Sequence, residues 1–260
     1  MFDNGKAAVV TGAGPGMGRS IAVELARQGV DVTIAARRSE RLEAVADDVR
    51  RIAGREPLVM AVDITDPDSC GRLVDATLDR FGRVDVLIQN AHHEGDWAPV
   101  VDADPDAWRT VFEVNVFGAL HLVQRCVPRM RDVGGGAIVL VNSGAALRNP
   151  PRMAAYSASK SALAVLARTL ALEVGGWGIR VNGVFLGPVD GENLHRLGAG
   201  AAAASGTTID EWLVDKATEM PLGSVPTPDE CARPVVFLAS DYASQVTGQH
   251  LSVNGGQWCT

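Results

Sequence analysis

Residues 7–29, "AAVVTGAGPGMGRSIAVELARQG", carry the clearest indication of the fold. This stretch opens with a short apolar run and passes through a cluster of glycines. It then enters a segment in which Ile21 and Leu25 lie at helical spacing. Gly29 stands where glycine commonly ends a helix, since it accepts a left-handed backbone at no steric cost. The stretch therefore predicts a buried strand, a tight turn and a helix.

The glycine cluster between this strand and this helix also predicts a phosphate site. The first N–H groups of a helix have no partner within it and carry a partial positive charge. Glycines let phosphate oxygens approach these groups without a Cβ in the way. An ordinary glycine turn is the alternative. The residues predicted to hold a pyrophosphate are Thr11, Gly12, Gly14, Gly16, Met17 and Gly18.

The same alternation of strand and helix continues along the chain. The strands are continuous runs of Val, Ile and Leu, which is typical of a parallel sheet buried on both faces. The sequence thus predicts an α/β fold, a Rossmann-like doubly wound parallel sheet of about seven strands with helices on both faces. The predicted strands are 7–11, 31–36, 58–63, 84–90, 135–142, 179–186 and 250–256, and the clearest helices are 17–29, 65–82, 102–130, 154–174 and 227–240.

One segment, at about 188–222, breaks this rhythm. It contains "GAGAAAASG" (198–206), a run of small residues that predicts either a weak helix or a mobile loop. The chain shows no second core and no linker. We therefore expect a single dinucleotide-binding domain over residues 1–260, with this segment as a flexible substrate lid.

Composition excludes several classes of partner. The net charge is −7, whereas nucleic acids and anionic membranes require a basic surface. The four cysteines are scattered and no His/Cys cluster has metal-ligand spacing, so we expect no metal site. The N-terminus does not read as a signal peptide, and no apolar run reaches eighteen residues. These features predict a cytoplasmic protein without a membrane span.

The end of the second predicted strand indicates which nucleotide would bind. In dinucleotide folds a carboxylate there binds the ribose 2′-hydroxyl, whereas cationic side chains accommodate a 2′-phosphate. Here Ala36 replaces the carboxylate, and Arg37 and Arg38 follow. This pattern favours NADP(H), although an arginine lying over the adenine of NAD(H) would give the same pattern. Asp63 is predicted either to bind the adenine amino group or to form a turn.

With these residues in place, the chain resembles the short-chain dehydrogenase/reductase family, in the compact single-domain form that includes the 3-oxoacyl-carrier-protein reductases. The resemblance covers essentially the whole chain and rests on separated features that occur in the family's order. They are the glycine pattern of Thr11, Gly12, Gly16 and Gly18, then Asp63, Gln89-Asn90-Ala91, Asn115, Ser143, Tyr156, Lys160 and Gly187.

The resemblance implies a catalytic role for four residues. Tyr156 would be the general acid/base, Lys160 would tune it and hold the cofactor ribose, Ser143 would orient the substrate oxygen, and Asn115 would support a water relay. Residues four apart share one face of a helix, so we expect the Lys160 charge to lower the pKa of Tyr156. Further cofactor contacts implied by the family are Ile64, Asn90, Ala91, Lys160, Gly187 and Val189.

Three positions depart from the family pattern. His92 stands in place of a glycine, Leu186 replaces the proline before Gly187, and Gly191 replaces a threonine. The predicted substrate pocket therefore includes His92, Trp97, Met153 and Leu186. His92 packing into a rebuilt loop is the equal alternative.

The leading hypothesis is an NADP(H)-dependent oxidoreductase that interconverts a ketone and a secondary alcohol by hydride transfer. The alternative is a catalytically altered cofactor-binding scaffold or sensor. A sugar-nucleotide epimerase would need a larger C-terminal domain. The resemblance also implies a homotetramer or homodimer that pairs the helices at 104–130 and 154–174. The alanine face of the second helix (Ala155, Ala158, Ala162, Ala167) would permit close packing.

Overall fold

A computed structural model describes residues 1–259 of the chain. Its centre is one sheet of seven strands that all run parallel. The strands are β1 Ala7–Thr11, β2 Asp31–Ala36, β3 Leu58–Ala61, β4 Val86–Gln89, β5 Gly136–Ser143, β6 Ile179–Leu186 and β7 His250–Val253. The predicted α/β class, strand number and parallel sheet are confirmed.

The order of strands across the sheet is β3-β2-β1-β4-β5-β6-β7. The order reverses between β1 and β4, where Thr11 pairs with Gln89 at the carboxyl ends of the two strands. Successive crossovers leave on opposite sides of the sheet at such a point, so the loops diverge and leave a crevice. This is the doubly wound, Rossmann-like arrangement predicted from the sequence.

Helices cover both faces of the sheet. One layer packs around Ile21, Leu25 and Val235, and the other around Leu73 and Leu122, all of which are fully buried. The helices are α1 Met17–Arg27, α2 Ser39–Ala53, α3 Pro67–Phe81, α4 Pro105–Phe112, α5 Gly118–Asp132, α6 Ala145–Arg148, α7 Ala154–Val174, α8 Glu192–Ser205, α9 Ile209–Thr218 and α10 Pro228–Ala239. Within residues 1–259, none of them has the length and apolar character needed to cross a membrane.

The predicted long helix at 102–130 is interrupted. α4 ends at Phe112, a π-helical turn runs over Glu113–Phe117, and α5 follows. The spacing of apolar residues does not reveal a single widened turn, because the helical pattern is present both before and after that turn. π-helical turns of this kind are frequent at functional sites.

The small-residue run at 198–206 forms a helix. It lies within α8, which ends at Gly206 in a left-handed conformation. α9 follows and begins with a capping box between Thr208 and Glu211. Alanine is the best helix former, and this propensity outweighs the cost of the glycines in the run.

The alanine face predicted to join subunits is buried only in part: Ala155 and Ala167 are buried, while Ala158 and Ala162 are half-buried. Ala167 belongs to the face of α7 that packs into the core with Leu163 and Leu170. The outer face of this helix instead carries Val165 and Leu172, which are 55% and 87% exposed.

Candidate active site

A cleft of about 890 Å³ opens at the carboxyl ends of the strands, beside the β1–β4 crevice. Its walls come from the segments that follow β1 to β6, and residues of α8 and α9 cover it. The predicted site residues that line it are Gly12, Gly14, Gly16, Met17, Gly18, Arg37, Arg38, Asp63, Ile64, Asn90, Ala91, His92, Trp97, Ser143, Met153, Tyr156, Lys160, Leu186, Gly187 and Val189. Thr11 and Asn115 are both fully buried.

The glycines of the turn after β1 are of two kinds. Gly12 and Gly18 are closely packed against the backbone, whereas Gly14 and Gly16 face open space. A Cβ on Gly12 would lie 2.5 Å from the backbone N of Ala91, and one on Gly18 would lie 2.2 Å from the carbonyl oxygen of Gly12. A Cβ on Gly14 or Gly16 would meet nothing within 4 Å. The open pair borders the cleft at the start of α1, whose first turn holds no acidic residue. The turn therefore fits a pyrophosphate.

Arginines line the cleft beside the end of β2. Arg37 and Arg38 are exposed there, next to Ala36, and Arg41 joins them. Arg41 also pairs with Glu192 at the start of α8, at 3.2 Å. The cationic side chains and the absent carboxylate leave room and charge for a phosphate on the ribose.

Asp63 both borders the cleft and forms a turn. Its Oδ1 accepts hydrogen bonds from the backbone N–H of Thr65 at 3.0 Å and from its hydroxyl at 2.8 Å. The backbone bond is the main reason that the pKa of Asp63 is lowered. The structure thus shows the turn-forming alternative, with the carboxylate still on the cleft wall.

Ser143, Tyr156 and Lys160 converge on the same part of the cleft. Ser143 is the last residue of β5, and Tyr156 and Lys160 lie in the first two turns of α7. The Oγ of Ser143 accepts a hydrogen bond from the N–H of Ala145 at 3.2 Å, and its own proton can be donated to the hydroxyl oxygen of Tyr156.

The pKa of Tyr156 moves opposite to the predicted direction. Burial disfavours the phenolate and raises the pKa, a hydrogen bond with Ser143 lowers it, and the Glu94 carboxylate raises it further. The predicted lowering of the Tyr156 pKa is wrong, because burial of the phenol has the largest effect on it. Lys160 is buried as well. Its side chain is 3% exposed, and burial lowers the pKa of Lys160 to about 7. The ammonium donates to the carbonyl oxygen of Val141 at 2.9 Å.

Asn115 lies in the π-helical turn and clamps the loop after β4 to α7. Its Oδ1 accepts from the backbone N–H of His93 at 2.8 Å, and its Nδ2 donates to the His93 carbonyl oxygen at 3.0 Å. The same Nδ2 donates to the hydroxyl of Ser159 at 2.9 Å, and that hydroxyl donates to the carbonyl oxygen of Tyr156. The role in a water relay stays a prediction, while the side chain positions the loop.

His92 lies in the cleft wall and not in a packed loop. Its ring centroid is 6.4 Å from that of Tyr156, at an interplanar angle of 60°. His93 turns the other way, and its Nδ1 accepts from the N–H of Gly95 at 2.9 Å. The structure thus favours the substrate-side reading of His92 over the packing alternative.

Two glycines after β6 have different surroundings, although only Gly191 departs from the family pattern. A Cβ on Gly187 would lie 2.9 Å from the Cβ of Asn254, so this glycine is required by close packing. Gly191 is extended and precedes α8, where a side chain would meet no atom closer than 3.9 Å.

Several cleft residues were not predicted from the sequence. Glu94 follows β4 and could have been found, because polar residues at the carboxyl end of a parallel strand commonly line a site. Glu94 accepts hydrogen bonds from Asn193 and Arg196 of α8, both at 3.1 Å. Leu194, Leu197, Trp212, Lys216 and Glu219 also line the cleft and belong to the segment at 188–222 predicted as a lid. Three others reach the cleft through tertiary packing that leaves no local signal: Arg148, Gln257 and Trp258.

Comparison with known proteins agrees with this geometry. The family model described as short chain dehydrogenase matches residues 6–201. A cis-4-hydroxycyclohexanecarboxylate dehydrogenase of Sinomonas cyclohexanicum is 37% identical over 254 residues, covering 96% of both chains.

Two solved structures have nearly the same fold. L-sorbose reductase from Gluconobacter frateurii, in complex with NADPH and L-sorbose, superimposes with a TM-score of 0.94 at 31% identity, covering 100% of this chain and 99% of the other. NAD⁺-bound xylitol dehydrogenase gives 0.89 at 32% identity, covering 97% and 99%. The chain belongs to the short-chain dehydrogenase/reductase family, oxidoreductases that act on secondary alcohols and ketones with NAD(P).

Proposed function

We propose that this chain is an NADP(H)-dependent oxidoreductase that interconverts a ketone and a secondary alcohol, with Tyr156 as the general acid/base. The observation that supports this most directly is the convergence of Ser143, Tyr156 and Lys160 in the cleft that the glycine turn borders. A scaffold or sensor would have no need of this set. The family's chemistry and the intact trio together favour turnover.

A nicotinamide cofactor, when bound, supplies or accepts the hydride. The protein's part is to hold the carbonyl and to move a proton. The raised pKa of Tyr156 keeps its phenol protonated at neutral pH, which is the form that donates a proton to the oxygen of a ketone. Ser143 donates a hydrogen bond to the same oxygen as negative charge develops on it.

The preference for NADP(H) rests on Ala36, Arg37 and Arg38. Arg37 and Arg38 carry positive charge beside the end of β2, and Ala36 has no carboxylate there. This combination suits a 2′-phosphate on the ribose. The solved relatives include complexes with either nucleotide, so the family alone does not decide between them. Lys160 is the residue that we expect to contact the nicotinamide ribose.

We further propose that the protein is a cytoplasmic homotetramer or homodimer and that α8 and α9 form its substrate lid. Val165 and Leu172 on α7 are exposed and offer apolar side chains for contact with a second copy. The lid is fastened to the body of the protein by the ion pairs of Glu94 with Arg196 and of Arg41 with Glu192.

The decisive experiment is a turnover screen with NADPH and NADH against a panel of ketones, and with NADP⁺ and NAD⁺ against secondary alcohols. Wild-type protein is compared with the Tyr156→Phe variant. Turnover that disappears in the variant supports the proposal. Nucleotide binding without turnover of any compound in the panel would favour the scaffold.

A further inference from the structure

The imidazole of His92 is a polar group in the cleft that the hydride-transfer chemistry does not use. It lies in the loop after β4, on the wall of the cleft. Its side chain is 36% exposed within the cleft wall, and its ring lies 6.4 Å from that of Tyr156. A bound substrate would therefore contact this ring.

The hydrogen bond that His92 makes with the protein fixes which nitrogen carries the proton. Its Nδ1 lies 3.3 Å from the carbonyl oxygen of Asn90. A carbonyl oxygen can only accept, so Nδ1 is the protonated nitrogen and donates to it. In the neutral ring, Nε2 then presents a lone pair.

The surroundings of His92 keep the ring neutral. Burial in the cleft lowers the pKa of His92, and the charge of Lys160 lowers it further. The Glu94 carboxylate and the hydrogen bond to Asn90 raise the pKa of His92, but the net shift of this pKa is downward. At neutral pH, Nε2 is therefore a hydrogen-bond acceptor.

A second acceptor faces this nitrogen. The Oε1 of Glu94 lies 3.9 Å from Nε2, beyond hydrogen-bond distance. Asn193 and Arg196 hold the Glu94 carboxylate from the lid side. The Glu94 carboxylate thus has donors on the lid side, whereas Nε2 of His92 accepts no hydrogen bond from any residue that the structure describes, and the cleft opens beside it.

The loop that carries these acceptors is held in place. Asn115 bonds to both the N–H and the carbonyl oxygen of His93, so the residue next to His92 is fixed to the π-helical turn. A hydrogen-bonding group held this firmly loses little entropy when a ligand binds, which makes it a discriminating contact.

We propose that the Nε2 of His92 accepts a hydrogen bond from a hydroxyl on the carbon next to the reacting carbonyl, with Glu94 as the neighbouring acceptor. The substrate class is then α-hydroxy ketones and, in the reverse direction, vicinal diols. This inference rests on the proposed function, because Tyr156 marks the place of the reacting oxygen. The Glu94 carboxylate at the same spot disfavours an anionic group there.

The test compares matched pairs of ketones that differ by one hydroxyl: 3-hydroxy-2-butanone with 2-butanone, and 2-hydroxycyclohexanone with cyclohexanone. For each pair the ratio of kcat/KM is measured with wild-type protein, His92→Phe, His92→Gly and His92→Asn. Phenylalanine keeps a ring without the acceptor, glycine removes the side chain, and asparagine restores an acceptor. His93→Phe is the matched control, because its ring bonds to Gly95 within the loop.

We expect wild-type protein to prefer the hydroxylated member by about 5- to 10-fold, the factor for one hydrogen bond. The preference should disappear in His92→Phe and His92→Gly, return in part in His92→Asn and persist in His93→Phe. Turnover of both members at equal kcat/KM, or a preference that survives His92→Gly, would overturn the inference and leave the proposed function intact. Absence of turnover for every pair would overturn both.

Discussion

The ammonium of Lys160 lies 5.7 Å from the centre of the Tyr156 ring, and it donates a hydrogen bond to the carbonyl oxygen of Val141. The lysine is thus anchored to β5 while it stays one helical turn from the phenol. Its burial lowers the pKa of Lys160 to about 7, so at neutral pH it is charged in only part of the molecules. The phenol keeps its proton under these conditions.

The Tyr156→Phe variant tests the role of that proton. Phenylalanine preserves the ring and removes the hydroxyl, so we expect kcat for ketone reduction to fall by at least about 100-fold, the usual contribution of a general acid. The dissociation constant for NADPH, measured by fluorescence titration, should change by less than about threefold. Wild-type turnover by the variant would exclude Tyr156 as the acid.

The sequence predicted the site residues well where they follow directly after a strand of the sheet. The carboxyl ends of parallel strands meet at one edge, so Ser143, Asn90 and Gly187 could be placed in the cleft from the strand pattern alone. The family resemblance implied Tyr156 and Lys160, and helical spacing added only that the two share one face of α7.

The rest depends on tertiary packing. The direction in which Lys160 points is set by the Val141 carbonyl, and Trp258 reaches the cleft through the path of the C-terminal segment. Neither leaves a trace in local periodicity. The π-helical turn at Asn115 is similar, since the position is unfavourable for asparagine within a regular helix and only the contact with His93 explains it.

The buried ammonium of Lys160 should make stability depend on pH. The unfolded lysine has its ordinary pKa of 10.5 and the folded one about 7, so between these values the unfolded chain binds more protons. The free energy of unfolding therefore rises with pH in this window, by up to about 2 kcal/mol from pH 7 to pH 9. The measurement is urea denaturation of wild type and Lys160→Met at both pH values. The rise should be smaller in the variant, and an equal rise would contradict the burial argument.

Arg37 and Arg38 give a prediction about nucleotide preference. We expect NADPH to bind more tightly than NADH, because the guanidinium groups would contact a 2′-phosphate. Arg37→Ala should reduce the ratio of the NADH dissociation constant to the NADPH dissociation constant by about 10-fold, which is the effect of losing one charge-assisted hydrogen bond. Dissociation constants for both nucleotides provide the measurement, and Arg51→Ala, an exposed arginine paired with Asp48, is the control. Equal affinities in the wild type would contradict the assignment.

The ion pair between Glu94 and Arg196 joins the loop after β4 to α8. Arg196 is 63% exposed, so water weakens the attraction and its loss should cost less than about 1 kcal/mol. We expect Arg196→Met to raise KM for the carbonyl substrate by about two- to fivefold while the dissociation constant for the nucleotide stays the same. Steady-state kinetics beside Arg129→Met, a comparable surface arginine of α5, measures this. An unchanged KM would show that the ion pair does not hold the lid over the substrate.

The two kinds of glycine in the turn after β1 can be separated by alanine substitution. A Cβ on Gly18 would lie 2.2 Å from the carbonyl oxygen of Gly12, so Gly18→Ala forces the backbone apart and should lower the free energy of unfolding by about 1–3 kcal/mol. A Cβ on Gly14 meets nothing within 4 Å, so Gly14→Ala should change stability by less than about 0.5 kcal/mol. If the open side of the turn holds the pyrophosphate, the same methyl group stands in its way, and the dissociation constant for NADPH should rise at least about tenfold. Denaturation curves and nucleotide titrations of the two variants measure these effects. A Gly14→Ala protein that binds NADPH as tightly as the wild type would show that the phosphates lie elsewhere in the cleft.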